Sequence, residues 1–276
     1  PSQLFPLPIL ASRVGAAVVL LIGTLMPSLL SAQLWTGDRR GVPNWENDLA
    51  FKTDVFTFVR IKYSSYDRYW DGKWRIDYPE SDLNFSFRLQ EMTSLKVNPD
   101  SKYLELTDPE LFQHPFVYLI EPGELRFSQS EVKALRKYLL GGGFMMVDDF
   151  WGEREWFNFY REIKRVFPDR EPEELPLSHP IFNCVFPLDE KPQIPNVGLG
   201  MESRYHGITW EQPDAREVHY KGVLDDRDRL MMVICHNTDL GDGWEWEGYN
   251  EYYFREFSEK KAYPLGINIV VYALTH

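Results

Sequence analysis

Short apolar runs that favour strands recur along the chain, with longer amphipathic segments between them. The first three runs are DVFTFVRIKY (54–63), PFVYLIE (115–121) and FMMV (144–147), which are rich in β-branched, aromatic or other large apolar residues. A run that is apolar throughout and bounded by turn residues is typical of a strand buried on both faces. We therefore predict three strands in the first half of the chain.

The clearest helix signal lies in the segment SQSEVKALRKYLLGGG. Ser128 and Glu131 have the spacing of a capping box, in which each side chain accepts a hydrogen bond from the backbone amide of the other. Leu135 and Leu139 repeat at helical spacing, and Gly141 ends the pattern. Because the strand FMMV follows almost at once, this stretch predicts a helix–strand unit.

Two further segments have helical spacing. SDLNFSFRLQEMTSLKV predicts a helix that opens at Ser81. Its predicted buried side consists of Leu83, Phe87 and Met92. REWFNFYREIKRVFP predicts another helix, which Pro168 ends. The apolar face of this second helix is predicted to hold Trp156, Tyr160, Ile163 and Phe167.

The last third of the chain mixes irregular segments with strong signals. The proline-rich stretch 171–198 predicts little regular structure, and residues 217–237 predict two strands around the turn DDRDR. Residues 238–253 (TDLGDGWEWEGYNEYY) predict a loop. The closing segment YPLGINIVVYALT (263–275) predicts a helix that is apolar almost all round and therefore buried.

The order of these elements predicts an α/β fold. Strands that alternate with helices form parallel sheets with helices on both faces, because the crossover connections are right-handed. We therefore predict a three-layer α/β/α open sheet that is mostly parallel. We divide the chain into a signal peptide or N-terminal anchor (1–32), a lead-in linker (33–53) and a single α/β domain (54–276).

The N-terminal segment predicts export. Arg13 is the first charged residue, and VGAAVVLLIGTLMPSLLSAQLW follows it without a charge. This pattern is typical of a secretory signal cleaved after Ala32. The apolar stretch is also long enough for an uncleaved membrane anchor, and a buried core helix is a third alternative. We expect a periplasmic or extracellular protein, or one anchored to the membrane by this segment alone.

Charge narrows the classes of partner. The formal net charge is −12, which disfavours attraction to nucleic acid or to an anionic membrane surface, so we expect no nucleic-acid partner. The two cysteines, Cys184 and Cys235, lack the spacing of a zinc site. We expect two buried thiols, and a disulfide is the alternative.

The predicted strands also place polar residues at one edge of the sheet. In open α/β sheets, ligands bind outside the carboxyl ends of the strands. Our candidate ligand-binding residues at this edge are Arg60, Tyr63, Glu121, Asp148, Asp149, His236, Asn237 and Asp239. The pair Asp148 and Asp149 stands out because two like charges directly follow an apolar run.

The paired aspartates are open to two interpretations. At least one is expected to cap the helix that follows, its carboxylate accepting backbone hydrogen bonds. Repulsion between carboxylates raises one pKa, so the pair is also suited to acid–base chemistry with His236 in a hydrolase. The spacing of Asp148, Asp149, Asp239 and His236 is too unspecific to predict a metal, and we expect neither a metal nor a cofactor.

Aromatic residues concentrate in two predicted loops, YSSYDRYWDGKWRIDY (63–78) and DGWEWEGYNEYY (242–253). Trp and Tyr among acids and amides are suited to stacking on sugars or on a protein partner. Alternatively, they cover the core and the sheet edge. We expect a non-catalytic envelope protein that binds a glycan, a peptide or another envelope protein, with the hydrolase as the alternative.

Four stretches resemble the domain of unknown function 4159 family, and the resemblance covers about residues 54–276. They are FTFVRIKY, DPELFQHPFVYLIEPGELRFSQSEVKALRKYLLGGGFMMVDDFWG, FPDREPEELPLSHPIF and YPLGINIVVYAL. That family is similar to the class I glutamine amidotransferase-like superfamily, a flavodoxin-like three-layer fold also found in trehalose-utilisation (ThuA-like) proteins.

The resemblance implies a fold and no activity. In glutaminases of that superfamily, the turn from strand to helix carries a cysteine nucleophile between glycines, and a His/Glu pair follows later. Here the turn carries Asp148 and Asp149, and no cysteine is near. The resemblance therefore implies a domain that lacks the glutaminase nucleophile and keeps its aspartates where the fold commonly places a working residue.

Overall fold

Seven strands form the central sheet of the protein, which a computed structural model describes at residues 39, 41–51, 54–65 and 72–276. The predicted signal or anchor (1–32) lies outside the described residues. The described residues belong to one compact unit, Leu34–His276. None of the helices described there combines the length and the apolar character that a membrane span requires.

The chain alternates strands and helices as predicted. The strands are β1 (Val59–Lys62), β2 (Ser64–Ser65), β3 (Lys102–Glu105), β4 (Phe116–Ile120), β5 (Leu125–Arg126), β6 (Phe144–Asp148), β7 (Glu173–Glu174), β8 (His219–Leu224) and β9 (Leu230–His236). The helices are α1 (Glu80–Met92), α2 (Gln129–Leu140), α3 (Gly152–Val166), α4 (Val197–His206), α5 (Leu240–Glu245), α6 (Glu251–Tyr253) and α7 (Tyr263–Thr275). A π-helical segment, Phe254–Ala262, joins α6 to α7.

The sheet order is β3-β1-β4-β6-β9-β8-β7. The first five strands in this order are parallel to one another. The strand β8 pairs antiparallel with β9, and β7 pairs antiparallel with β8. Counted in chain order, the parallel strands run 2-1-3-4-5, so the direction of strand addition reverses between β1 and β4. Ligands of open α/β sheets bind at such a reversal, beyond the carboxyl ends of the strands.

Helices cover both faces of the sheet and enclose two hydrophobic cores. Phe85 of α1 and Trp244 of α5 pack with α7 on one face, and Leu135 of α2 packs with α3 on the other. Side chains of β6 alternate between the two cores, Met146 in the first and Val147 in the second, as the pleat of a strand requires. The prediction of a mostly parallel three-layer α/β/α fold is confirmed.

Several local predictions are confirmed, and their bounds shift by a few residues. The capping box at the start of α2 is present, with both Ser128 and Glu131 accepting the expected amide hydrogen bonds. The strand predicted at 54–63 shrinks to β1, and α3 begins two residues earlier than predicted. The two late strands pair antiparallel, as their turn predicts.

Other local predictions are wrong. The buried side of α1 includes Phe85 and Leu89, while Met92 is 41% exposed. The segment 238–253, predicted as a loop, contains α5. Cys184 is exposed and Cys235 is buried, and both are free thiols. The expectation of two buried thiols therefore holds for only one of them.

Candidate functional site

The carboxyl ends of four parallel strands meet at one edge of the sheet, where the backbone is unusual. The residues directly after β4, β6 and β9 are Glu121 (φ 51°), Asp149 (φ 56°) and Asn237 (φ 62°), all left-handed. Residues other than glycine pay about 1–3 kcal/mol for such a conformation, and these conformations cluster at functional sites. The edge that strand geometry predicts as a ligand site is thus also the place where backbone strain concentrates.

Asp148 is a capping residue. It is fully buried, and its Oδ2 accepts hydrogen bonds from the Tyr118 hydroxyl (2.9 Å) and from the amides of Leu240 and Gly241 (3.0 Å each). Burial raises the pKa of Asp148 to about 7, although these hydrogen bonds lower it. We predicted a cap on the helix that follows in sequence, α3. The capped helix is α5, because the pleat directs Asp148 to the face of the sheet that α5 covers.

The amides at the start of α3 have partners within the protein. Asn237 Oδ1 accepts from the Gly152 amide (2.9 Å), and Asp214 Oδ2 accepts from the Glu153 amide (3.1 Å). Free amides at the start of a helix are a ready-made binding site for phosphate or carboxylate groups. Here side-chain oxygens already fill that place, so this helix end does not favour an anionic ligand.

Asp149 faces other acids. It is 7% exposed, and its Oδ1 accepts a hydrogen bond from Trp151 Nε1 (3.2 Å). Burial raises the pKa of Asp149 well above its usual range, and repulsion from Glu121, Asp77 and Glu211 raises it further. Asp149 therefore lies in a strongly negative environment at the sheet edge.

We call Glu121, Asp149, Glu155 and Glu211 the acidic crevice, because Glu121 and Glu211 repel the charge of Asp149, and Glu155 and Glu211 repel that of Glu121. Lys73 places its ammonium group in this crevice, 2.8 Å from Glu121 Oε2. Burial, the largest single effect, lowers the pKa of Lys73, but Glu121, Glu155 and Asp149 together leave it raised. The protein thus already holds one alkylammonium group among these acids.

The loop after β4 brings Glu155 to the crevice. A Cβ atom at Gly123 would lie 2.7 Å from Glu155 Cδ, so the Glu155 carboxylate packs directly against this loop. Glu155 Oε2 also accepts a hydrogen bond from the Trp151 amide (2.9 Å). Its position is therefore fixed by the backbone on both sides.

A second group of acids lies at the same edge, and we call Asp77, Asp239 and Asp242 the aspartate trio. Each offers a carboxylate oxygen, and these oxygens all lie within 4.8 Å of one another. Burial raises the pKa of Asp77 and of Asp239 well above their usual range, and repulsion from neighbouring acids, Asp242 among them, adds to both rises. The trio is a concentration of negative charge with little access to water.

Sequence reasoning identified one member of the trio, Asp239, and missed the other two. Asp77 and Asp242 lie in the segments predicted as aromatic loops, away from any predicted strand end. The available signal was the spacing of Asp239 and Asp242, in which the first caps α5 by accepting from the amide of the second (2.7 Å). That spacing predicts a helix start and gives no indication of a neighbour from the 72–79 loop.

Arg60, a predicted ligand-binding residue, is fully buried. Its guanidinium contacts both carboxylate oxygens of Asp82 and donates to the carbonyl oxygens of Trp74 (3.0 Å) and Ile76 (2.5 Å). Burial, the largest single effect, lowers the pKa of Arg60, but Asp82, with smaller contributions from Tyr118 and Asp77, leaves it raised, so the group stays charged. Arg60 holds the loop that carries Asp77 and does not line the crevice.

Two other predicted site residues also make internal contacts. The Tyr63 hydroxyl donates to the carbonyl oxygens of Ile120 (2.8 Å) and Glu121 (2.6 Å). Asn237 accepts from the Gly152 amide and donates to the carbonyl oxygen of Glu217 (2.7 Å). Both side chains hold the loops at the edge in place. Of the predicted site residues, Glu121 and Asp149 belong to the acidic crevice.

His236 lies on the opposite face of the sheet from Asp148. It packs against Phe150 and Trp156, with ring centroids 4.7 and 5.1 Å apart, and its Nε2 lies 3.2 Å from the Gly152 carbonyl oxygen. Across the described part of the chain, no hydrogen bond or ion pair joins His236 to Asp148 or Asp149. The pleat explains the separation from Asp148, because His236 follows Ile234 into the core beneath α3, whereas Asp148 follows Met146 to the other face.

We expect His236 to make the protein less stable in mild acid. Burial lowers the pKa of His236 to about 4, and His219 and Lys221 lower it further, while the Gly152 carbonyl oxygen and Asp214 oppose them. In the unfolded chain His236 therefore binds a proton near pH 6.5, whereas in the folded protein it binds one only near pH 4. Stability falls as the pH drops through that window.

The measurement is urea unfolding at pH 7, 6 and 5 for the wild type and His236→Phe. Between pH 7 and pH 5, the wild type should lose about 2 kcal/mol more of its unfolding free energy than the variant. Equal pH slopes would contradict a buried, neutral histidine. Other titrating groups are common to both proteins and cancel in the comparison.

Part of the aromatic enrichment belongs to the core. Trp74, Trp244 and Tyr253 are buried, whereas Tyr249 is 62% exposed. Residues 66–71 of the first predicted aromatic loop lie outside the described residues. The described aromatics therefore agree largely with the interpretation that these segments cover the core.

A family model described as a domain of unknown function (DUF4159) matches residues 57–274. No curated protein matches the chain. The matched region contains β1 to β9, the acidic crevice and the aspartate trio.

Proposed function

The chain belongs to the DUF4159 family, a domain of unknown function, and we propose that it is a binding protein of the cell envelope that recognises positively charged ligands in its acidic crevice. Export, or anchoring through residues 1–32, is part of the proposal and rests on the apolar segment after Arg13. The location is periplasmic or extracellular.

The strand order supports a relationship to the class I glutamine amidotransferase-like superfamily. The parallel order 2-1-3-4-5 is that of flavodoxin-like doubly wound sheets. Asp149 lies in the left-handed turn after β6. The resemblance implies that this turn corresponds to the one that carries the cysteine in glutaminases of that superfamily, so we propose binding and no glutaminase activity.

The observation that carries the proposal is the Lys73 ammonium among Glu121, Asp149 and Glu155. A site that stabilises one alkylammonium group against burial is suited to a second cation of the same kind. The amides at the starts of α3 and α5 are occupied by side chains, which removes the usual attraction for phosphate or carboxylate groups.

Among the partners that the sequence left open, a peptide or envelope protein with exposed Lys or Arg fits this charge best. A glycan without charge would not reduce the repulsion between acids that helps to raise the pKa values of Asp149 and Glu121. A hydrolase that uses His236 with Asp148 gains no support, because the pleat directs the two side chains to opposite faces of the sheet. Pairing of His236 with Asp149 gains none either, because no hydrogen bond or ion pair joins them in the described residues.

The test is isothermal titration calorimetry of the full chain with a Lys-rich peptide and with a Glu-rich peptide of equal length. We expect the Lys-rich peptide to bind, and Asp149→Asn to weaken its binding at least about tenfold, or roughly 1.4 kcal/mol. Asp226→Asn is the matched control, because Asp226 lies in the exposed turn between β8 and β9. Equal binding of the two peptides, or equal losses in the two variants, would contradict the proposal.

A further inference from the structure

We infer that the aspartate trio binds one hard divalent cation, Ca²⁺ or Mg²⁺. Asp77 comes from the loop before α1, Asp239 caps α5, and Asp242 lies in the first turn of α5. Their ligand oxygens lie within 4.8 Å of one another. Oxygen ligands lie about 2.3–2.6 Å from Ca²⁺, so ligands on opposite sides of one ion are up to about 5 Å apart.

An unpartnered oxygen points to the same conclusion. Asp77 Oδ2 is buried and makes no hydrogen bond. A buried polar atom of this kind is costly, and native proteins normally give it a partner. A Cβ atom at Gly241 would lie 2.6 Å from this oxygen, so Asp77 is held against the start of α5, where the other two ligands lie. A bound cation is the partner that this oxygen lacks.

The protein supplies little positive charge of its own to the trio. Asp242 accepts from the Val197 amide (2.8 Å) and from Trp246 Nε1 (3.1 Å), which are neutral donors. The Arg60 guanidinium lowers the pKa of Asp77, but it is ion-paired with Asp82. Three carboxylates therefore share a buried space without a dedicated counter-charge, and they must either hold protons or bind a cation.

The donor set selects the class of ion. All three ligands are carboxylate oxygens, and neither histidine nor cysteine belongs to the trio. Oxygen donors favour Ca²⁺ and Mg²⁺ over the softer metals that imidazole and thiolate prefer. Because Mg²⁺ needs shorter bonds of about 2.0–2.1 Å and nearly ideal octahedral geometry, the two ions are separate arms of the test.

This inference deepens the proposed function, because it names an inorganic cation as the ligand of the inner part of the same acidic edge. The two groups of acids interact, since Asp149 contributes to the raised pKa of Asp239. They differ in their contacts, because Lys73 pairs with the crevice and no hydrogen bond or ion pair joins it to the trio in the described residues. The two sites can therefore be tested with different variants.

The experiment titrates CaCl₂ and MgCl₂ separately into the chelator-treated full chain by calorimetry. We expect one ion per chain, and affinity at least about tenfold lower in Asp77→Asn. This variant is chosen because Asp77 Oδ2 has no hydrogen bond to lose, and circular dichroism verifies its fold. Asp100→Asn, an aspartate with a 79% exposed side chain, is the control and should bind like the wild type.

A thermal melt gives a second readout. The cation should raise the melting temperature of the wild type, and the same concentration should raise that of Asp77→Asn by less, because the variant binds the ion more weakly. Absence of binding at millimolar Ca²⁺ and Mg²⁺, or equal affinity in Asp77→Asn, would overturn the inference and leave protons as the occupants of the trio.

The outcomes also separate this inference from the proposed function. If neither ion binds but the Lys-rich peptide binds in a way that depends on Asp149, the inference fails and the proposed function stands. If an ion binds in a way that depends on Asp77 and the peptide does not bind, the ion site stands and the peptide proposal fails.

Discussion

Asp82→Ala is expected to lower the free energy of unfolding by about 3–5 kcal/mol, because it leaves the buried guanidinium of Arg60 without a counter-charge. Both side chains are fully buried, and Asp82 accepts hydrogen bonds from Arg60 Nε (3.1 Å) and Nη2 (2.5 Å). Water cannot replace the lost carboxylate at this depth. Urea unfolding of the wild type and the variant measures the difference.

The control is Glu259→Ala, which removes a carboxylate from an exposed pair with Arg255. Solvent screens such a pair, so the change in unfolding free energy should fall within the error of the measurement. A loss in Glu259→Ala equal to that in Asp82→Ala would show that general charge, and not burial, sets the effect. Equal stability of Asp82→Ala and the wild type would contradict the pairing itself.

The Arg60–Asp82 pair also explains why the sequence misassigned Arg60. Its position near the end of β1 led us to predict it at the candidate ligand-binding edge, but the 72–79 loop folds over its side chain. Pairing with Asp82, which is 22 residues away in the chain, depends on how α1 packs. No local pattern encodes that contact, so strand-end position alone could not distinguish a ligand-binding arginine from a structural one.

Elements with local signals were predictable, and elements stabilised from a distance were not. The helix α2 carries its own capping box, and the first four residues of β6 are apolar, so both could be read from the sequence. In contrast, β3 lies at the sheet edge and alternates exposed and buried residues among charges. The helix α5 contains two glycines in six residues. Its cap, the Asp148 carboxylate, accepts hydrogen bonds from the amides of Leu240 and Gly241, which are 92 and 93 residues away in the chain.

The candidate site follows the same division. The alternation of strands and helices along the chain predicted this edge of the sheet. Glu121 and Asp149 were assigned to it because they follow the predicted strands that became β4 and β6. Asp77 reaches the edge through a loop whose path depends on Arg60, and no spacing in the sequence predicts that path. Sequence reasoning therefore located the edge but could not separate the acidic crevice from the aspartate trio.

Asp148→Ala is expected to cost about 3 kcal/mol of unfolding free energy, because it leaves three buried donors without an acceptor. These donors are the Tyr118 hydroxyl and the amides of Leu240 and Gly241. Each unsatisfied donor costs about 1–3 kcal/mol, and neighbouring losses are not fully additive. The amides of α5 should also exchange their hydrogens faster, since the helix loses its cap. Urea unfolding and hydrogen exchange measure the two effects.

Asp148→Asn separates the cap from the charge. Its amide oxygen can take the place of Oδ2 and accept the same hydrogen bonds, while the buried charge disappears. Because burial raises the pKa of Asp148 to about 7, the wild type carries the cost of an ionised, desolvated carboxylate at pH 8. We therefore expect Asp148→Asn to lose less than about 1 kcal/mol there. If the asparagine variant loses as much unfolding free energy as the alanine variant, the negative charge of Asp148 matters more than its hydrogen bonds. Asp148 would then belong with the acids of the crevice, and its role as the cap of α5 would be contradicted.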